Sequence, residues 1–486
     1  MHKIEISLRK NETFGVLLCL ALAVILRGYT INARSLEYDE AQTLAFASLP
    51  VYEGLDAVAH LDVHPPLYYL QLHSWMALFG DTDASTRGNS VFWGMLGVWM
   101  VYIAVRRIFE GRGVALTAAL LFAAAPLAVR YGQQARMYAL MMTLVVAIWL
   151  SLHAFFHRDE RRIWLLSGVV AVALCVLMGY AHGTGFLIFG STAVFACLTL
   201  LHMPSRWPRF LLWCVFQTVG MILLIPWLRH ASGLGAGHAV VPTFADINQT
   251  LGALLLGNQG GVPARIGWIL AILLISSAWI LLRPQRGPAG NMALSFIVTP
   301  LLFCILLSYV SKPVWLERTV SWTVPFLCVL IALLIGRLVE CTNSRVLAAL
   351  AIITTGCLIA LCVRQQRYLP DYGYREATAY VHEQAQPGDI VLVPGRHIWA
   401  WAHYLPGKTP LDPSKTVRLN APGEVQVVSS LKQSECLPNR TYWIMSETSR
   451  DFKDTGIFEN ILNKDPASQN SAKRFGRITV ARIEVR

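Results

Sequence analysis

Residues 163–202 read IWLLSGVVAVALCVLMGYAHGTGFLIFGSTAVFACLTLLH, and no Asp, Glu, Lys or Arg interrupts them. A helix that crosses a bilayer needs about 20 mostly apolar residues. This stretch therefore supplies two spans, 163–181 and 183–202, joined at His182 with almost no linker. Working outward, the same criterion marks 14–31, 90–105, 113–129, 138–156, 210–228, 264–282, 291–310, 320–336 and 346–363, making about 11 spans. Arg27 and Arg265 are the only Asp, Glu, Lys or Arg residues inside them. Each lies near a span end, where a long side chain can snorkel to the interface.

The whole chain agrees with its centre. Of 486 residues, 55% are hydrophobic and only 14% charged, with mean hydropathy +0.48. Globular chains carry about a quarter charged residues, so a water-soluble enzyme, a disordered tail protein and a secreted disulfide scaffold are excluded. The net charge of +12 comes from basic residues scattered in twos and threes between apolar runs. That scatter is a topology signal rather than a nucleic-acid stripe. Cys19, Cys175, Cys197, Cys214, Cys304, Cys328, Cys357 and Cys362 lie inside spans, Cys341 in a short loop, and Cys436 alone in the polar tail. No intradomain disulfide and no zinc spacing follow from this pattern.

Orientation comes from Lys and Arg in the loops. One side collects Lys3, Arg9, Lys10, Arg106, Arg107, Arg112, Arg158, Arg161, Arg162, Arg206, Arg209, Arg283, Arg286, Arg337 and Arg345. The other holds fewer, in longer loops, which predicts a cytoplasmic N-terminus and an extracytoplasmic C-terminus. Residues 1–363 then form the membrane domain, with a first outer loop at 32–89 and a second at 229–263. Residues 364–486 lose hydrophobicity and read as a small soluble α/β domain, with a helix at 375–386, a turn at 387–389, and strands at 390–393, 442–445 and 478–485.

This topology places five unusual polar features on one face: Asp39-Glu40, His64-Pro65-Pro66, Arg136 with Tyr138, His182, and Glu317-Arg318. Singly, each has an ordinary structural reading. The acids suit a helix cap, the prolines a helix start, the arginines and Tyr138 an interfacial belt, and His182 a hydrogen-bonded core position. Leu67–Phe79 reads as an interfacial helix. Their gathering on one face, drawn from hydropathy and charge alone, favours a site.

The order of these motifs resembles the GT-C glycosyltransferases, in the protein-mannosyltransferase and aminoarabinose-transferase group in its bacterial form. It rests on Asp39-Glu40 after the first span, His64-Pro-Pro-Leu-Tyr-Tyr69, Ala135-Arg-Met-Tyr138, Pro313-Val-Trp-Leu-Glu-Arg318 with Pro325, and Arg375-Glu-Ala followed by Pro387-Gly-Asp389. Two positions depart from that pattern. Thr319 follows the arginine where relatives often carry an aromatic, and Gln133-Gln134 precede Arg136 where they often carry an acid.

The resemblance implies a multi-pass protein of the bacterial inner membrane. It would move a sugar from a polyprenyl-phosphate donor to a glycan, lipid or protein acceptor at the outer face, with inversion and no nucleic-acid partner. In that scheme Asp39 is the general base and Glu40 its understudy or orienting acid. Arg136 and Arg318 bind phosphate, because a guanidinium pairs bidentately with its oxygens, and His64, Tyr138 and His182 add hydrogen bonds. The resemblance fixes no cofactor, and Asp39, Glu40 and His64 form a candidate ligand set for a divalent metal cation. A lipid or glycan transporter or flippase is the competing class, and a non-catalytic scaffold of envelope polysaccharide synthesis a third. Transporters place polar groups at the bilayer midplane, often within inverted repeats; here the polar groups crowd one face and no repeat is visible.

Overall fold

The computed structural model describes residues 2–109, 111–232, 241–257, 259, 264–281, 289–340, 344–386, 388–393, 397–405, 418–419, 425–428, 440–447 and 469–485. Two compact units divide the chain. One comprises Met1–Tyr29, Leu55–Gln71 and Arg87–Leu369, the other Thr30–Gly54, Leu72–Thr86 and Pro370–Arg486.

The first unit has only helices among its described elements. It holds α1 (His2–Gly28), most of α5 (Asp83–Ile108) after α2 (Tyr38–Ser48), α3 (Val51–Leu61) and α4 (Leu67–Phe79), then α6 (Arg112–Ala123), α7 (Pro126–Tyr131), α8 (Tyr138–His157), α9 (Arg161–Ala181) and α10 (Ile188–His202). α11 (Trp207–Ser232), α12 (Phe244–Leu256), α13 (Ala264–Leu281), α14 (Ala289–Val310), α15 (Val324–Glu340) and α16 (Ser344–Gln366) complete it, with a 3-10 helix at Glu317–Thr323 leading into α15. Eight helices among the described residues are long and apolar enough to cross a membrane, which makes this a multi-pass membrane protein. The remaining three expected spans are also helical, as α1, α6 with α7, and α13. α12 has no counterpart in the expected spans; its Thr243-x-x-Asp246 capping box, with Thr243 N donating to Asp246 Oδ2 at 2.8 Å, marks its start.

The expected span at 113–129 is broken. Pro126 disfavours helical geometry in the residue before it, and Ala125 is extended while Pro126 opens a new helix. The break frees carbonyls in an apolar setting, where they must be satisfied within the protein. Arg27 Nη1 donates to the Ala123 carbonyl at 2.9 Å and to the Ala23 carbonyl at 3.2 Å. Gln365 Nε2 reaches the Pro126 carbonyl at 3.0 Å. Arg27 is fully buried, so it does not snorkel; it plugs the break. Gly94 and Gly132 make room for it, since a Cβ would come within 2.6 Å of Arg27 Nε at the first and 2.7 Å of Arg27 Cδ at the second.

The second unit joins α2, the C-terminal part of α4 and the start of α5 to α17 (Tyr374–Gln384), α18 (Ile398–Tyr404) and a six-stranded sheet. Its strands are β1 (Ile390–Leu392), β2 (Arg418–Leu419), β3 (Val425–Val428), β4 (Arg440–Ser446), β5 (Gln469–Phe475) and β6 (Ile478–Val485). Their order is β2-β3-β1-β4-β6-β5, with β1 parallel to β3 and β4 and the other pairs antiparallel. The sequence-predicted strands correspond to β1, β4 and β6, and the predicted helix to α17; β2, β3, β5 and α18 carry no comparable pattern. Pro387 of the expected turn lies outside the described residues, while Gly388 has the positive φ a turn glycine supplies.

Candidate functional site

In the first unit, the termini of several helices bring together five of the residues singled out in the sequence. His64 precedes α4, Arg136 and Tyr138 open α8, His182 ends α9, and Arg318 lies in the 3-10 helix before α15. The His64 and His182 rings are 4.6 Å apart and the Tyr138 and His182 rings 5.9 Å. Arg136, Tyr138 and His182 are buried.

His182 is the most informative member. Its Nδ1 accepts the Thr184 backbone N–H at 3.1 Å. In the neutral ring the proton therefore sits on Nε2. That Nε2 is buried with no hydrogen-bond partner among the described residues. Burial, reinforced by neighbouring His64, Arg136 and Arg318, pushes the imidazole well below its ordinary value. His182 thus presents a neutral N–H donor among cationic groups, a combination suited to an anionic oxygen.

The loop that carries Arg136 is fastened from α5, where Ser90 Oγ donates to the carbonyls of Gln134 and Arg136. Beside it, Arg130 Nη1 makes a 2.6 Å ion pair with Glu317 Oε1, which Tyr131 Oη also approaches at 3.3 Å. Tyr131 packs at a tilt against Tyr138, with ring centroids 4.5 Å apart. Burial and the Glu317 charge push the Tyr131 phenol well above its ordinary value, so it stays a donor. Sequence reasoning did not select the Arg130–Glu317 pair, and no local pattern joins residues 187 positions apart.

Asp39 and Glu40 belong to the second unit, in the first turn of α2. Carboxylates there complement the helix dipole. Glu40 is buried and its Oε2 accepts the Glu37 backbone N–H at 3.1 Å, forming half of a capping box. Asp39 is half-buried, and its carbonyl accepts from Thr43 Oγ1 at 2.7 Å. From the tail, Tyr372 lies within the electrostatic reach of both Glu37 and Asp39. Burial, then the Glu37 charge, push its phenol up, and Arg477 opposes them. The pair of acids that looked alike in sequence is differentiated at the helix start: the Glu40 side chain reaches back to the Glu37 N–H, while the Asp39 carbonyl accepts from Thr43.

Among the described residues no three His, Cys, Asp or Glu side chains converge as metal ligands would. Glu40 is committed to its cap. The set Asp39, Glu40 and His64 is not such a group.

Residues 63–230 match the protein family described as dolichyl-phosphate-mannose-protein mannosyltransferase. Among solved structures, the chain is similar to ArnT from Cupriavidus metallidurans in the apo state, with TM-score 0.64 and 13% identity over 96% of this chain and 98% of that one. ArnT from the same organism bound to undecaprenyl phosphate gives TM-score 0.62 and 14% identity over 97% and 98%. An Archaeoglobus fulgidus oligosaccharyltransferase gives TM-score 0.50 and 13% identity over 80% of this chain and 61% of that chain. No curated protein matches by sequence. The fold is thus the GT-C, ArnT-like one, as the motif order implied.

Proposed function

We propose that the chain is an inverting glycosyltransferase that moves a sugar from a polyprenyl-phosphate donor to an acceptor at the outer face of the bacterial inner membrane. What carries the reading is the gathering of Arg136, Arg318 and the neutral His182 Nε2–H donor at one set of helix termini in a membrane bundle. A phosphate group bound there, the diester of the donor or the monoester that leaves, meets guanidinium and imidazole donors in a buried setting, where charge-assisted hydrogen bonds are strong. The structural likeness to a protein bound to undecaprenyl phosphate supports the same donor class.

The chemistry follows from these groups. The acceptor hydroxyl or amine attacks C1 of the sugar while Asp39 takes its proton. The C1–O bond breaks, its electron pair stays on the phosphate oxygen, and the configuration at C1 inverts. Polyprenyl phosphate has a second pKa of about 6 and departs as a dianion near neutrality. It needs cations, from Arg136 and Arg318, rather than a general acid. His64 and Tyr138 add hydrogen bonds to phosphate or sugar, and Glu40 orients α2. The C-terminal α/β region lies outside the membrane in this proposal, so alkaline phosphatase fused after Arg486 should be active; an inactive fusion beside a fluorescent cytoplasmic reporter would reverse the topology.

The deciding experiment is mass spectrometry of lipids co-purifying with the wild type and with Asp39→Asn. A polyprenyl-phosphate glycoside accumulating in the variant is expected, with turnover reduced about 10³-fold, the usual size of a general-base contribution. If neither protein holds polyprenyl phosphate, even after its addition, the reading is overturned. Full transfer activity in Asp39→Asn would remove the base assignment alone.

A further inference from the structure

Two neighbouring arginines, Arg130 at the end of α7 and Arg136 in the loop that follows, are held in different ways. Arg130 is engaged head-on by the Glu317 carboxylate at 2.6 Å. Arg136 is hydrogen bonded to the hydroxyl of Tyr69, and the same hydroxyl donates to Asp62 Oδ2 at 2.6 Å. Asp62 and Tyr69 are both buried. The other carboxylate oxygen, Asp62 Oδ1, accepts the His64 backbone N–H at 2.9 Å, an Asx-type turn. One buried carboxylate thus fixes the loop that carries His64 and reaches the Arg136 guanidinium through a phenol.

We propose that Asp62, acting through Tyr69, is the positioning residue that aims Arg136 at the phosphate of the donor. The inference rests on the phosphate-binding reading given above. A carboxylate placed directly on a guanidinium competes with phosphate for the same bidentate edge. A phenol interposed between them separates the two functions. The oxygen of Tyr69 accepts from Arg136, its proton goes to Asp62, and the negative charge orients the arginine from a distance. The phenol keeps that proton, because burial and the Asp62 charge push it well above its ordinary value, with Arg136 opposing. The guanidinium is therefore set in place before the donor arrives, and positioning of that kind lowers the cost of binding.

The test measures affinity of the detergent-solubilised full chain for undecaprenyl phosphate in four variants. Arg136→Ala should weaken binding about 100-fold, as truncating a charged hydrogen-bonding partner does. Tyr69→Phe, which keeps the ring and its packing, should weaken it about tenfold, and Asp62→Asn about as much. The discriminating result is the double variant Tyr69→Phe with Arg136→Ala, which should bind no worse than Arg136→Ala alone. A merely structural role for Tyr69 would make the two losses multiply. If the wild type binds and Arg136→Ala does not, but Tyr69→Phe and Asp62→Asn match the wild type, the relay is overturned and the phosphate site stands. If the wild type itself fails to bind undecaprenyl phosphate, the proposed function falls and the relay with it.

Discussion

The two units differ in how they hold the polar groups of their candidate residues. In the first, three groups at helix termini are held by neutral partners, the imidazole of His182 by a backbone N–H, Arg136 by a phenol and Arg27 by the open end of α6, while Arg130 alone of the site's described pairs meets a carboxylate head-on, that of Glu317. In the second, one carboxylate gathers charged and polar partners directly. Asp83, buried at the start of α5, accepts from Arg375 Nη2 at 2.6 Å, from Tyr404 Oη at 2.6 Å and from His403 Nε2 at 2.8 Å. The Tyr404 hydroxyl in turn accepts the Leu36 backbone N–H at 2.7 Å. Nearby, Tyr374 N donates to Ser35 Oγ at 3.1 Å, and Phe46 of α2 packs edge-on against Trp399 of α18 at 5.3 Å. The helix that carries Asp39 is thus built into one core with the C-terminal tail.

The hardest break in this contrast is Asp83→Ala. It leaves Arg375, His403 and Tyr404 without their shared acceptor in a buried place, a loss worth about 3 kcal/mol. Thermal unfolding should shift down and α18 should become sensitive to limited proteolysis, while the affinity for undecaprenyl phosphate is retained. Unchanged protease sensitivity would mean that the apolar contacts alone hold the tail to residues 30–54 and 72–86.

How much of this the sequence discloses follows the same division. Spans are legible because hydropathy is a local property, and the first unit's candidate residues are legible because each sits where a span begins or ends. His64, Arg136, Tyr138, His182 and Arg318 come together in the structure for that reason. Asp62 had a weak local signal, an Asx residue two positions before His64. Tyr69 lay inside the quoted motif but had no visible partner. The clasp of Asp83 joins residues about 300 positions apart, across the whole membrane bundle in sequence, and nothing local foretells it. Glu40 illustrates a subtler limit. Its pairing with the Glu37 N–H, three residues away, is a local signature, yet it differs from Asp39 only through side-chain direction.

A smaller break sharpens the comparison on the side of the first unit. Gly132→Ala would place a Cβ 2.7 Å from Arg27 Cδ and 2.8 Å from its Nε, in a stem that has nowhere to move. Overpacking of this kind costs about 2 kcal/mol, and the shift should appear in thermal unfolding. Gly356→Ala is the matched control in α16: its Cβ meets nothing within 4 Å. There the substitution removes glycine's backbone freedom and should leave the midpoint unchanged or raise it. Equal effects at the two positions would mean that Arg27 is not the plug of the helix break.

The smallest expected effect is a pH dependence, and its sign separates the two units again. The His182 imidazole is held below its ordinary value of 6.5 in the folded protein. Below that value the unfolded chain takes up a proton that the native site refuses, so stability rises with pH through this region and falls as the solution is acidified. The contribution is limited to about 1.4 kcal/mol per pH unit for one such group. His182→Gln has no titrating proton and should flatten that part of the profile between pH 6.5 and 5.5. The Asp83 carboxylate, hydrogen bonded to Arg375, Tyr404 and His403, gives no reason of its own for a change in that interval. A variant profile parallel to the wild type would show that His182 is protonated in the native state. It would then be a third cation of the site rather than its neutral donor.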